Sequence, residues 1–264
     1  LYTFGKTYRG TGYSGGFYNS SYDDDDLAWA AIWLFIATSQ QSYLDDIVAV
    51  TADGHYTGYL KKVMSSTQDN WQNIWVHSWD AVWGGVFIKL ASLTNDPKYV
   101  YIARWNLEYW SGISHQDSSD TNYLAATPAG FKVINTWGSC RYNTAAQLCA
   151  LVYRKYQNDT RFADWAKGQM DYVMGNNPLN RCYMVGFSAN SAKHPHHRAS
   201  HGSTTDSMSD PAEHRHTLWG GLVGGPDTKD AHTDATNDFV YNEVAVDYSA
   251  AFVGALAGHY TYYG

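Results

Sequence analysis

The densest chemistry in the chain lies in one segment of its C-terminal half. Tyr183-Met184-Val185-Gly186-Phe187 is followed by His194-Pro195-His196-His197-Arg198 and then by His201-Gly202-Ser203. Imidazoles this close suggest three uses. A zinc site wants three or four N, S or O ligands at defined spacing, yet the cluster contains no Cys and the chain has no HExxH helix. The second use is a polar floor, with imidazoles and a guanidinium bonding to hydroxyls. The third is plain capping of loop backbone groups.

Two carboxylate constellations stand beside it. Asp234, Asp238, Asn242, Glu243, Asp247 and Tyr248 form the first. A general acid needs a carboxyl held protonated in a pocket poor in solvent. The pattern predicts that Glu243 opens an apolar helix, and that Asp238 and Asp247 bear on it as like charges. Simple capping by Glu243 is the alternative. The second constellation is Ser20-Ser21-Tyr22-Asp23-Asp24-Asp25-Asp26-Leu27. Four consecutive Asp repel one another, and a hard cation taking carboxylate, hydroxyl and backbone oxygens would relieve the repulsion. A solvated acidic helix start is the alternative.

Helices must position these groups. Apolar spacing predicts them over 25–38, 42–52, 80–94, 98–112, 135–157, 159–174 and 243–262. Leu27, Ala30, Ala31, Leu34 and Phe35 follow the Asp run at helical intervals, and Gly175-Asn176-Asn177-Pro178 stops the sixth helix. Strand signals are weak. The fold class is all-α, built of helical hairpins, with chemistry in the loops 53–78, 113–134 and 178–242. Loops this long inside a compact domain are usually functional.

Composition limits what the surface can bind. The 264 residues include 11 Trp, 22 Tyr and 9 Phe, while charged residues make only 16%, against roughly 25% in an ordinary soluble domain. A net charge of −7 with 18 Lys+Arg gives no electrostatic footprint for nucleic acid. No apolar run reaches membrane-spanning length, roughly 18 residues. Many Trp and Tyr with few charges suit a flat, hydroxyl-rich, uncharged ligand such as a sugar. The 3 Cys (Cys140, Cys149, Cys182) make no disulfide framework. With neither an initiator Met nor a leader at Leu1, the chain reads as processed or cut from something longer.

Taken in order, these segments resemble glycoside hydrolase family 9, the endoglucanases with an (α/α)6 barrel. Asp25-Asp26-Leu27-Ala28-Trp29-Ala30-Ala31, Ser78-Trp79-Asp80 and Asn135-Thr136-Trp137-Gly138 with Arg141-Tyr142 match family segments. So do Gly175-Asn176-Asn177-Pro178, Tyr183 to Phe187, Pro195-His196-His197-Arg198, Pro211-Ala212-Glu213, Gly220 to Pro226, and Asn242-Glu243-Val244-Ala245 with Asp247-Tyr248. The resemblance spans 1–264 as one catalytic domain.

The resemblance implies roles. Glu243 is the proton donor, with Asp234 and Asp238 the acidic pair that precedes it. His196, His197 and Arg198 hold the sugar beside the cleavage point. Trp75, Trp137, Arg141, Tyr142 and Tyr248 stack on or hydrogen-bond glucosyl units. Ser21, the backbone of Tyr22, Asp25, Asp26 and Asp80 form a calcium site, although the family has Gly at position 22 and Glu at 26. No organic cofactor is implied. The partners implied are cellulose or soluble β-glucan oligosaccharides, not nucleic acid or a membrane, and a polymeric substrate places the enzyme outside the cell.

The family's Asp-Ala-Gly-Asp segment, which supplies the water-activating base, does not occur in this sequence. The expectation is therefore a barrel incomplete at its N-terminal side. Trp33, Phe35, Phe87 and Trp105 would lie on bared faces, to be covered by the missing segment or by self-association. Inverting hydrolysis needs two carboxyls about 6.5–9.5 Å apart, so a non-catalytic glucan-binding fragment is the competing expectation, and a zinc hydrolase on the histidine loop is a third.

Overall fold

The computed structural model describes residues 1–12, 16–63 and 77–264. The chain divides into two compact units, Leu1–Asn106 and Leu107–Gly264.

The first unit contains α1 (Tyr2–Thr7), α2 (Asp24–Thr38), α3 (Gln41–Val48), a single 3-10 turn (Tyr59–Lys62), α4 (Trp83–Thr94) and the start of α5 (Pro97–Ser111). Asp24, Asp25 and Asp26 fill the first turn of α2, where the helix dipole favours negative charge. Asp23 precedes them and pairs with Arg9. Helix α2 packs on α1, α3 and α4, burying Leu27, Ala28, Ala31 and Ile32. Ser39 and Asn95 adopt left-handed conformations that end α2 and α4, a common way to close a helix.

The second unit is built around α6 (Ser139–Gln157), which packs on α7 (Arg161–Val173) and α10 (Val246–Tyr263). Short helices α8 (Arg198–His201) and α9 (Phe239–Asn242) lie in the long connection between α7 and α10. The core joins Phe131, Leu151, Met170, Val173, Tyr183, Leu222, Val223 and Phe252. Buried amides bridge it: Asn143 Nδ2 donates to Lys132 O and Gln169 Oε1, and Gln147 Nε2 to Asn143 Oδ1. Buried polar groups persist only when paired in this way.

The long connection is ordered by isolated bridges: Met184 with Leu222, Cys182 with Ser191, and His196 with Glu243. Gly224 O accepts from Cys140 N at 2.8 Å. A Cβ on Gly225 would strike Cys140 Sγ, so only glycine at 225 lets this segment lie against the start of α6. All three cysteines are free and buried.

The main helices fall where periodicity predicts them, and their ends do not. The third predicted helix begins at Trp83, leaving Asp80 in the preceding bend. The fifth begins at Ser139, because Gly138 stands in a left-handed N-cap. The second stops at Val48, since Val50 pairs with Tyr56 in an antiparallel bridge. The last begins at Val246, so Glu243 does not open it. Helix α1 carries no buried residue and has no apolar periodicity to announce it. Phe87 and Trp105 are buried, contrary to the expected bared faces, whereas Trp33 is 46% exposed.

Candidate active site

Glu243 sits between the one-turn helix α9 and the long helix α10. It is the C-terminal cap of α9, at φ −56° and ψ 142°, and precedes α10 by three residues. Two neutral donors converge on it. Trp137 Nε1 donates to Glu243 Oε2 at 2.6 Å, and the Tyr248 hydroxyl donates to the same oxygen at 2.9 Å. Tyr248 is fully buried in the first turn of α10. No ion pair to Glu243 occurs among the described residues.

The nearby acids are committed elsewhere. Asp247 pairs with Arg141 at 3.1 Å, a cation that offsets its charge. Asp238 caps α9 by accepting from Tyr241 N at 3.3 Å. Asp234 accepts from the backbone N–H groups of Lys193 and His194, at 2.9 and 3.0 Å, and from Asn242 Nδ2 at 3.2 Å. Burial raises the Asp234 carboxyl, but those backbone donors outweigh it, and it titrates below the usual carboxylate range. Among the described residues, neither Asp234 nor Asp238 makes a hydrogen bond or ion pair with the Glu243 carboxyl. Their geometry is that of fasteners: Asp234 ties the segment before His196 to Asn242, and Asn242 adjoins Glu243.

Arg141 lies in the first turn of α6, with its guanidinium 4.5 Å from the centroids of both Tyr142 and Tyr248. It also donates to the Tyr142 hydroxyl at 2.9 Å. Gly138 allows this packing. Its φ is +76°, and a Cβ there would lie 2.6 Å from the Tyr248 hydroxyl. The sequence offered the glycine as part of a motif and gave no sign of this contact.

His196 is drawn alongside Glu243. Its N–H donates to Asn242 O at 2.7 Å, and its Nδ1 donates to Thr236 O at 2.6 Å. His197 Nδ1 accepts from Ser200 N and caps α8. Arg198 is exposed and pairs with exposed Asp206. His196, His197, Arg198, Asp206, Met208 and Thr236 line a cleft of about 300 Å3. A larger cavity of about 570 Å3 in the first unit, among Lys6, Arg9, Asp46, Tyr59 and Lys62, holds none of the predicted site residues.

The other histidines of the loop act as scaffold. His201 meets Pro211 O, His214 meets Ser200 Oγ and Thr236 Oγ1, and His194 meets Glu213. Burial, aided by His201 and His194, lowers His214 to about 4. Among the described residues, no three His, Cys, Asp or Glu side chains are grouped to hold a metal ion, which removes support from the zinc alternative.

The acidic run of the first unit has a different character. The Asp80 carboxylate accepts from Ser21 N at 2.7 Å and from Ser21 Oγ at 2.6 Å. Asp25 is 2% exposed, and its Oδ2 accepts from Val82 N at 2.7 Å. Its Oδ1 is buried with no hydrogen-bond partner. Burial first, and the neighbouring Asp26 charge, push Asp25 up to about 6. Asp26 is raised by burial and by the charges of Asp23 and Asp80. Trp75 lies outside the described residues.

Comparison with known proteins bears on this arrangement. The family model for glycosyl hydrolase family 9 matches residues 1–256. Endoglucanase A of Bacillus pumilus is 39% identical over 97% of this chain, which spans 38% of that protein. The chain therefore covers about two-fifths of such relatives. Endoglucanase CelQ of Clostridium thermocellum, solved with cellobiose and cellotriose, superposes with TM-score 0.83 at 38% identity, over 95% of this chain and 41% of that one. Cellulase Cel9M of C. cellulolyticum, solved with cellobiose, gives TM-score 0.84 at 36% identity, over 100% of this chain and 57% of that one. These neighbours have the (α/α)6 barrel, in agreement with the all-α reading. Both the order of the motifs and the helical frame that carries them place the chain in glycosyl hydrolase family 9.

Proposed function

We propose that the chain takes part in hydrolysis of internal β-1,4-glucosidic bonds in cellulose or related β-glucans, by inversion, with Glu243 as general acid. One observation carries this reading. Glu243 is the carboxyl beside His196 whose recorded partners are neutral donors, while Asp234, Asp238 and Asp247 are held by backbone or by Arg141. A cation beside a carboxyl holds it ionised more strongly than neutral donors do, and both donors to Glu243 converge on Oε2, leaving Oε1 as the oxygen to carry a proton. His196, His197 and Arg198 supply the polar floor, and Tyr142, packed on Arg141, a ring for a glucosyl unit. No base is assigned within this sequence.

Reducing-sugar release from carboxymethylcellulose tests the reading. Glu243→Gln should lower it by about 10²–10⁴-fold, the usual contribution of a general acid. Cellotetraose bound without turnover by the unaltered chain would favour the non-catalytic glucan-binding alternative.

Calcium is the second part of the proposal. The donors are all oxygens, as a hard cation requires, and the buried Asp25 Oδ1 has no hydrogen-bond partner among the described residues, although Asp25, Asp26 and Asp80 are not grouped to hold an ion as they stand. Asp25, Asp26, Asp80, Ser21 and the Tyr22 backbone would hold the ion, which would stabilise the fold. Melting with calcium against EDTA tests this: calcium should raise Tm in a concentration-dependent way, and Asp25→Asn should abolish the rise.

Exposed Trp33 and Ile36 on α2, and Val246, Val253 and Tyr260 on α10, support association through these helices with a further segment of the protein or a second copy. Light scattering would detect self-association. A polymeric substrate supports an extracellular location, which secretion of a tagged protein would test.

A further inference from the structure

We propose that Trp137 and Tyr248 are positioning residues for Glu243: together they occupy Oε2 and leave Oε1 as the oxygen that carries and delivers the proton. The inference rests on the reading of Glu243 as the acid. The sequence resemblance gave both rings to the sugar; the structure turns their polar edges onto the carboxyl.

The argument is one of donor capacity. An indole N–H only donates, so Oε2 must accept from Trp137. The Tyr248 hydroxyl donates to the same atom. An oxygen has two lone pairs in the carboxyl plane, and two donors at 2.6 and 2.9 Å use both. A proton on Oε2 would point at one of these donors, so it resides on Oε1. In the transfer, the Oε1–H bond breaks, the proton joins the glycosidic oxygen, and the electron pair stays on Glu243. The charge left behind is then held by the same two donors.

Three elements fix the arrangement. Trp137 precedes α6 and leans on Phe239 of α9, with ring centroids 5.0 Å apart. Tyr248 stands on α10. Arg141 of α6 lies over the Tyr248 ring and is anchored by Asp247 of α10. The charged and titratable groups around Glu243 are thus Tyr248, Arg141 and Asp247, together with His196 across the backbone bridge.

Tyr248→Phe and Trp137→Phe keep an aromatic ring and remove the donor. In a 1H–15N spectrum the Trp137 indole signal, identified by its loss in Trp137→Phe, should move in both Tyr248→Phe and Glu243→Gln. This readout needs no turnover. Kinetically, each Phe variant should lose about 10–100-fold on cellotetraose, mostly in kcat. Most of that loss should be regained on 2,4-dinitrophenyl β-cellobioside, whose leaving group needs no proton. A Trp137 indole signal unmoved by Tyr248→Phe and Glu243→Gln overturns the proposal. So does equal loss on both substrates in the Phe variants, the signature of a sugar-stacking or merely structural role. Equal loss on both substrates in Glu243→Ala would instead overturn the reading of Glu243 as the acid.

Discussion

Replacing Asp234 should loosen the segment that carries His196, and the structure sets the size of the effect. The Asp234 side chain is 13% exposed and holds three donors: the N–H groups of Lys193 and His194, and Asn242 Nδ2. Asn242 Nδ2 also donates to Thr233 O and Ala235 O, so its bond to Asp234 is replaceable. The two backbone donors have no other acceptor among the described residues. A hydrogen bond to a charged acceptor contributes about 1.5–3 kcal/mol. Asp234→Ala should therefore cost about 3–5 kcal/mol, and Asp234→Asn, which keeps one acceptor oxygen, about 1.5–3 kcal/mol. The pH dependence is the sharper test. Backbone donors hold the folded Asp234 below its unfolded value of about 3.9. Its contribution is then complete above that value and fades as pH falls through the lowered folded one. Urea unfolding of wild type and Asp234→Asn at pH 7, and stepwise from about pH 4 downward, should show a gap that narrows with acid. A gap under about 0.5 kcal/mol at pH 7, the level of an ordinary surface change, would refute the fastening role. So would a gap that ignores pH.

Gly138→Ala should destabilise by about 2–4 kcal/mol, from left-handed strain and collision with buried Tyr248; Gly168→Ala, in open space on α7, should instead stabilise by about 0.5–1 kcal/mol. Chemical denaturation of the pair checks both signs. His214 and His232 are each lowered to about 4, chiefly by burial, so the unfolded chain binds protons that the native one refuses as pH falls from about 6.5 to 4. Stability should fall over that window, and less steeply in His232→Gln; an unchanged slope would count against it. Burial raises all three thiols, Cys149 to about 12, so a thiol reagent should label none in the native chain and three in urea.

The helical frame was legible because α2, α4, α5, α6, α7 and α10 carry apolar residues at helical spacing, whatever they pack against. Their ends were less so. Asn135 belongs to an uninterrupted helical pattern in sequence, yet α6 starts four residues later because Gly138 takes a conformation that only the nearness of Tyr248 explains. The candidates of the proposed site, Glu243, His196, Arg141 and Tyr248, fall in recognisable segments of the sequence. Their roles were not legible there. Asp234, Asp238 and Asp247 look alike in sequence, and only their partners separate two acids held by backbone and an ion pair from the carboxyl held through one oxygen by two aromatic side chains.

Periodicity by itself determined an all-α chain, and the ordered motifs carried a family resemblance and a short set of candidate groups, because helix formation and motif order are properties of local sequence. Which oxygen of Glu243 is held, which acids are spent on backbone, and which histidines are scaffold were decided by the fold. Those facts depend on contacts such as Trp137 with Glu243 and Lys193 with Asp234, between residues far apart in the chain, and a hydrogen bond exists only where folding brings donor and acceptor together.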